Sequence, residues 1–176
     1  MNGLYIANGI AVGVFGMLLS AVFCDIIWTR KKRWIFLGCM VGILFLQGVC
    51  LQLLEPLMMR RCYPFSTHIP LAVVLCLLNK IRLWPFISVF TAYLCCQLRR
   101  WLALLIVALF DGAVMMQYIA ELVITVPLFL LLFYFVAPVI RSTAKEAVRV
   151  QWQFGFIPVL WYGFDYLTQI YTNLRI

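Results

Sequence analysis

The chain has 176 residues, of which 66% are hydrophobic and 11% are charged, and its mean hydropathy is +1.04. Soluble domains are about half apolar and about a quarter charged, and a chain of this length can bury only one modest core. The composition therefore excludes a soluble globular domain and indicates that the excess apolar surface faces lipid. The formal charge of +8 comes from basic residues at the ends of apolar runs, where they mark membrane topology rather than nucleic-acid binding.

The long apolar runs carry hydrophobic side chains on every face, as in the stretch FLLLFYF at 129–135. Membrane-spanning strands would alternate apolar and polar residues, so helices are predicted. We expect an all-α, polytopic integral membrane protein with about six transmembrane helices plus a short or re-entrant helix. Residues 1–176 form a single domain in this interpretation.

The first predicted segment covers residues 4–28, and no Lys or Arg occurs before it ends. The basic quartet RKKR at 30–33 follows at once, as a tight loop expected in the cytoplasm, which leaves the N-terminus outside as a retained anchor. Residues 34–54 form the second segment, and the loop at 55–68 then lies outside. The third segment, 69–78, is short and ends on the inner side at Asn79, Lys80 and Arg82.

The fourth predicted segment, 83–97, is closed by Arg99 and Arg100. The following apolar stretch is too long for one span of ~20 residues and barely long enough for two, with a break at Asp111. We interpret 101–110 as a short or re-entrant helix and 118–140 as a full span with a kink at Pro127. The polar loop at 141–149 is then cytoplasmic, whereas a full crossing by 101–110 would place it outside. The final segment covers 152–171.

Acidic side chains within apolar runs are costly and are therefore functional candidates. Asp25, Asp111 and Glu121 lie near predicted segment ends or the break, where solvent can reach them. Asp165 lies deep in the last segment and needs a partner, either for a ligand or signalling role or for a structural ion pair or hydrogen bond. We predict that it faces the bundle interior, within reach of a tyrosine hydroxyl, a polar side chain or a basic group.

Other motifs are less specific. The seven cysteines form no CxxC pair and are expected to be small buried hydrophobes. Glycine pairs at 9/13 and 38/42 permit close helix packing or a homodimer. The tryptophans at segment ends are typical of aromatic belts; they are Trp28, Trp34, Trp84, Trp101 and Trp152. No catalytic motif, metal site or cofactor site is predicted.

Three strings together resemble a known family: YPFSTHIPL at 63–71, TAYLCCQLRRW at 91–101 and IPVLWYGFDYLTQIYT at 157–172. They resemble the N-terminal membrane sensor region of GHKL-type sensor histidine kinases of Gram-positive gut bacteria, which are similar to quorum-sensing receptor kinases that read peptides. The resemblance covers about residues 60–172. It implies a cytoplasmic kinase region downstream, after a further span and a dimerisation region.

The resemblance implies a signal-input module in the cell membrane that binds an extracellular or membrane-borne ligand, a small molecule or a peptide. The candidate ligand-binding or signalling residues are His68, Arg99, Asp111, Trp161, Asp165 and Tyr166. One alternative is a small transporter, or the substrate-binding subunit of one, based on Asp165, Lys80 and the break near Asp111. Another is a peptide-processing cysteine protease, for which His68 would have to meet a cysteine thiol in space.

Overall fold

The computed structural model describes residues 2–53, 58, 62, 64–79, 83–110 and 114–171. Most of the described residues are helical and none of them lies in a strand, which confirms the all-α class. The α-helices, in chain order, are α1 (Asn2–Phe23), α2 (Arg30–Leu53), α3 (Ile69–Leu78), α4 (Trp84–Leu109), α5 (Val114–Leu131), α6 (Ala137–Thr143) and α7 (Val148–Tyr171).

Two π-helical turns continue directly into α-helices: Pro64–His68 leads into α3, and Leu132–Val136 joins α5 to α6. Each turn ends two residues before a proline, Pro70 or Pro138. Proline has no N–H to donate to the carbonyl four residues earlier, and its ring crowds that carbonyl. A wider turn at this point is one way for the helix to continue past the proline.

Four helical segments are long and apolar enough to cross a membrane: Gly3–Phe23, Arg30–Cys50, Trp84–Leu109 and Met115–Thr143. A shorter apolar helix covers Pro64–Leu78. The last helix, α7, is long, but Gln151, Gln153 and Asp165 make it more polar than these four. The four apolar helices indicate a membrane protein.

The central element of the bundle is α4, which packs against α1, α3, α5 and α7, whereas α2 packs mainly against α3. One buried core joins α1, α4 and the α5–α6 region around Phe15, Trp84 and Leu128. A second core joins α1, α2 and α3 around Met17, Met40 and Leu75. Because α1 contributes to both cores, it holds the two halves of the bundle together.

The predicted end of the fourth segment at residue 97 is wrong, and so is the separate short or re-entrant helix at 101–110. The chain continues as one helix, α4, from Trp84 to Leu109. Basic residues usually end a span because their charge seeks the headgroups. Arg99 instead lies buried against an acidic partner, Glu121 of α5, so the helix has no need to leave the bundle there.

Smaller differences concern the ends of other predicted segments. The basic quartet at 30–33 forms the first turn of α2 rather than a loop, and α1 stops at Phe23 instead of residue 28. Asp25 follows α1 with a φ of 51°, a left-handed conformation that turns the chain sharply. The predicted loop at 141–149 is shorter than expected, because α6 extends to Thr143 and α7 begins at Val148.

Candidate ligand-binding site

A cavity of about 800 Å³ lies between α1, α3, α4, α5 and α7. This volume is within the roughly 300–1,000 Å³ of typical small-molecule sites. Its wall combines apolar side chains with many polar ones, which are Tyr5, Asn8, Ser20, Thr67, His68, Tyr93, Gln97, Arg99, Arg100, Gln117, Tyr118, Glu121, Tyr162 and Tyr166. A polar cavity inside an otherwise apolar bundle is the candidate site of this protein.

The ion pair between Arg99 of α4 and Glu121 of α5 lies on one side of the cavity. Arg99 Nη2 is 2.9 Å from Glu121 Oε2, and the two residues are only 2% and 5% exposed. A charge buried in this way is tolerated only when it is paired and hydrogen-bonded. The pair therefore explains how two ionisable groups can lie within helices that are otherwise apolar.

Further hydrogen bonds surround this ion pair. They come from Asn8, Gln117 and Thr125. Asn8 Nδ2 donates to the same Oε2 of Glu121 at 2.7 Å, and Gln117 Nε2 donates to Oε1 at 3.1 Å. Arg99 Nη1 donates to Thr125 Oγ1 at 3.1 Å. The carboxylate thus joins α1, α4 and α5 through donors from all three helices.

An aromatic cluster of His68, Tyr93 and Tyr162 lies on another part of the wall. The distance between His68 Nδ1 and the Tyr162 hydroxyl is 2.9 Å. The imidazole makes edge contacts with the rings of both tyrosines, each at 5.2 Å between centroids. Tyr166 stacks on Tyr162 with ring planes 6° apart. This cluster joins the start of α3 to the middle of α4 and the second half of α7.

Asp165 lies next to the aromatic cluster and accepts hydrogen bonds from two side chains of α4. The Tyr93 hydroxyl donates to Asp165 Oδ2, and Gln97 Nε2 donates to the same oxygen at 3.3 Å. Tyr93 and Gln97 are four residues apart, on one face of α4. The structure thus confirms that Asp165 finds a tyrosine hydroxyl and a polar side chain on another helix.

All these groups lie toward one end of the bundle. Asn8 lies in the first half of α1, His68 directly before α3, and Glu121 in the first half of α5, whereas Arg99 and Tyr162 lie in the second halves of α4 and α7. The basic residues at 30–33 begin α2 at the opposite end. The cavity and the basic quartet therefore lie toward opposite ends of the molecule.

The candidate residues from the sequence are placed differently by the structure. His68, Arg99 and Tyr166 line the cavity, and Asp165 is held by two lining residues, Tyr93 and Gln97. Trp161 is 41% exposed and does not line it. Asp111 lies outside the described residues, as do Lys80 and Arg82.

The sequence interpretation missed Glu121, which it placed near a solvated end, although the structure buries it. It also gave no role to Asn8, Tyr93 or Gln97. A signal for Glu121 existed, because Arg99 and Glu121 are opposite charges in two consecutive apolar stretches. Charges of this kind are expected to pair within a membrane.

Metal and thiol chemistry finds little support in the described part of the chain. No group of three or more His, Cys, Asp or Glu side chains there could hold a metal ion. None of the seven cysteines forms a disulfide in the described residues. The groups that the cavity wall supplies are hydrogen-bonding side chains, an ion pair and aromatic rings.

No protein family, no curated protein and no solved structure matches this chain. Its class is therefore defined by the fold and the site alone: the described residues form a helical bundle with four helices able to cross a membrane and a polar cavity between α1, α3, α4, α5 and α7. The resemblance to sensor kinase regions stays a prediction from the three sequence strings.

Proposed function

We propose that this chain is the signal-input region of a two-component-type receptor kinase, and that its ligand binds in the cavity described above. One observation carries the proposal: the three strings that resemble sensor regions meet at this cavity. His68 comes from the first string, Tyr93 and Gln97 from the second, and Tyr162 and Asp165 from the third, and they contact one another directly.

The proposed topology has six crossings and an external N-terminus. In addition to the four long apolar helices, the Pro64–Leu78 helix and α7 each cross once. The basic quartet at 30–33 would then lie in the cytoplasm, in agreement with the positive-inside rule. The cavity lies toward the other end of the bundle and would be in its outer half, where an extracellular or membrane-borne ligand can reach it.

Signalling would follow from a change in helix packing. The contacts between His68 and Tyr162 and between Tyr93 and Asp165 connect α7 to α3 and to α4. A ligand that binds better to one arrangement of these helices shifts the population toward it, and only through that difference in affinity. In this topology α7 ends on the outer side, so its movement would reach a cytoplasmic output through the further span that the resemblance to sensor regions implies.

The test uses the product of the complete open reading frame in membrane vesicles, with labelled ATP. We expect ATP-dependent phosphorylation of the protein. The variant Asp165→Asn should insert normally and should change the basal rate, because it weakens the acceptor for Tyr93 and Gln97. The exposed Trp161→Phe variant is the matched control and should keep the wild-type rate. Absence of phosphotransfer, or the same rate in all three proteins, would contradict the proposal.

A small transporter is the second candidate, supported by the buried Arg99–Glu121 pair and by Asp165 inside the bundle. Intramembrane ionisable residues are common on substrate and ion pathways. Uptake of a ligand by proteoliposomes that contain only this chain would favour transport. If uptake occurred and were unchanged in the Asp165→Asn, Asp111→Asn double variant, these carboxylates would have no part in it.

A further inference from the structure

The end of the bundle opposite the cavity brings two separate parts of the chain together. Arg141 Nε, near the end of α6, donates to the carbonyl of Val22 in α1 at 2.7 Å. Lys145 Nζ, in the connection between α6 and α7, lies 3.4 Å from Asp25 Oδ2, just after α1. The α6–α7 connection is therefore at the same end as the α1–α2 connection and the basic quartet at 30–33, which begins α2.

Positive charge predominates at this end. Residues 22–33 and 141–149 contain seven basic and two acidic side chains. The basic ones are Arg30, Lys31, Lys32, Arg33, Arg141, Lys145 and Arg149, and the acidic ones are Asp25 and Glu146. All of the basic residues but Lys32 and Arg141 are exposed. In the described part of the chain, Lys145 alone among the seven forms an ion pair, so most of this charge is not neutralised by the protein.

The helix dipoles add to the positive potential of these side chains. The quartet at 30–33 forms the first turn of α2, and Arg149 lies in the first turn of α7. A helix N-terminus is itself positive, and acidic side chains are the residues that stabilise it. Neither of these first turns contains an acidic residue. Charges of the same sign thus lie together, and an anion from outside the chain would be stabilised beside them.

Large apolar side chains are exposed beside the same charges. Ile27, in the connection between α1 and α2, is 83% exposed, and Trp34, directly after the quartet, is 66% exposed. Trp152, one turn after Arg149 in α7, is 59% exposed. Tryptophan is typical of the boundary between lipid and water, and basic clusters beside spanning helices are typical of contact with anionic headgroups. A soluble acidic partner would account for the charges but not for the exposed apolar side chains.

We propose that this end of the bundle binds the headgroups of anionic phospholipids. The basic side chains of both connections contact the headgroup phosphates, while Ile27, Trp34 and Trp152 lie against the upper part of the acyl chains. Each Lys or Arg close to an anionic lipid surface contributes about fivefold in affinity, which corresponds to about 1 kcal/mol. Binding of this kind requires neither the proposed signalling function nor a particular orientation of the protein in the membrane.

The test is a lipid titration of the full chain in detergent, with the bound lipids counted by native mass spectrometry. The two probes are phosphatidylglycerol, which is an anion, and phosphatidylcholine with the same acyl chains, which has no net charge. We expect phosphatidylglycerol to bind about tenfold more tightly or better, because two basic residues can approach one headgroup. Equal affinity for the two lipids would overturn the proposal and leave a soluble acidic partner as the reason for the charge.

Variants of exposed residues connect this preference to the two parts of the surface. The double variant Arg30→Gln, Arg33→Gln and the single variant Arg149→Gln should each lower the affinity for phosphatidylglycerol by about fivefold or more. Neither should change the affinity for phosphatidylcholine. The matched control Arg30→Lys, Arg33→Lys keeps both charges and should bind phosphatidylglycerol like the wild type.

The wild-type comparison of the two lipids keeps the test decisive if a variant fails to fold. A wild-type preference in either glutamine variant would overturn the proposal, because that part of the chain would then lie outside the lipid-binding surface. An equal loss in the lysine control would do so as well, since charge would not be the cause. The phosphorylation assay is independent of these measurements, and its failure would affect the signalling proposal alone.

Discussion

Arg99 illustrates how a charged side chain can lie within a helix of an apolar bundle. Its guanidinium contacts Glu121 and Thr125 of the neighbouring helix, and its exposed fraction is only 2%. The net contribution of such a pair to stability is smaller than the loss of stability measured when one partner is substituted. Most of that loss arises because the other charge is left buried without a partner.

We predict that Arg99→Met lowers the free energy of unfolding by about 3–5 kcal/mol, because Glu121 is left without its cation. The double variant Arg99→Met, Glu121→Gln should recover part of this loss, since no isolated charge remains and the single glutamine oxygen can still accept from Asn8 or from Gln117. Reversible unfolding in mixed detergent micelles measures the free energy of unfolding of both variants. If the double variant is less stable than Arg99→Met, the ion pair is not the cause.

Cys24 shows how burial disfavours the charged form of a thiol. It lies just beyond the first apolar helix, with no exposed surface, and desolvation raises its pKa to about 11 although Asn79 Nδ2 donates to its sulfur at 3.4 Å. The thiolate is the reactive form. Below the pKa it is scarce, so the thiol is expected to be inert at neutral pH.

A membrane-permeant maleimide at pH 7 should therefore modify the exposed Cys62 quickly and Cys24 slowly. Raising the pH to 8 should increase the rate at Cys24 but leave it well below that at Cys62, because the pH is still far under the pKa of about 11. Mass spectrometry of peptides from each site gives the rates. Equal rates at pH 7 in the folded protein would show that Cys24 is accessible.

At the scale of helices, α4 and α7 approach closely at Gly155. A Cβ placed there would lie 2.7 Å from Ile87 Cγ1 of α4, which is closer than real contacts allow. Gly163, two turns further along α7, has no atom within 4 Å of the same position. Gly155 is thus required by packing, whereas Gly163 is not.

We expect Gly155→Ala to push α7 away from α4 and to lower the free energy of unfolding by about 1–3 kcal/mol through overpacking. The matched variant Gly163→Ala should be neutral or slightly stabilising, because alanine is the better helix former. Thermal unfolding of both proteins in the same detergent gives the comparison. If Gly155→Ala left the unfolding temperature unchanged, the side chain of Ile87 would have moved aside without loss of stability.

The helices also show how far the sequence could predict this fold. Hydropathy alone predicts the class and most apolar segments, and depth in a segment predicts that Asp165 needs a partner. The same reasoning fails at Arg99, because a basic residue marks a helix end only where no acidic partner exists nearby in space. That partner, Glu121, belongs to the next helix, and its position depends on packing between α4 and α5.

Trp84 is a second residue whose environment the sequence could not predict. Its position at the start of an apolar segment is typical of an aromatic belt, and Trp34, Trp101 and Trp152 are indeed exposed. Trp84 is fully buried, and its indole N–H donates to the carbonyl of Phe23 at 2.9 Å. This bond satisfies a carbonyl at the end of α1, which no local pattern in the sequence of α4 could indicate.

For the whole molecule, the orientation in the membrane decides which compartment the cavity faces. The cavity lies toward the end of the bundle opposite the basic quartet at 30–33. In the proposed topology, which follows the positive-inside rule, that quartet would lie in the cytoplasm and the cavity would face outward. If the orientation were reversed, the same cavity would receive a cytoplasmic ligand, and the receptor interpretation would lose its rationale.

We therefore predict that a membrane-impermeant maleimide modifies Cys62 in intact cells, because its thiol is exposed and lies in the connection before α3. In a Cys62→Ser background, Lys31→Cys should stay unlabelled until the cells are permeabilised, which is the control for its reactivity.

A reporter that requires export, inserted between Thr143 and Val148, should be inactive, since this connection is on the same side as Lys31 in the six-crossing topology. Labelling of Lys31→Cys but not Cys62 in intact cells would reverse the orientation. An active reporter together with protected Lys31→Cys would instead remove one crossing between them.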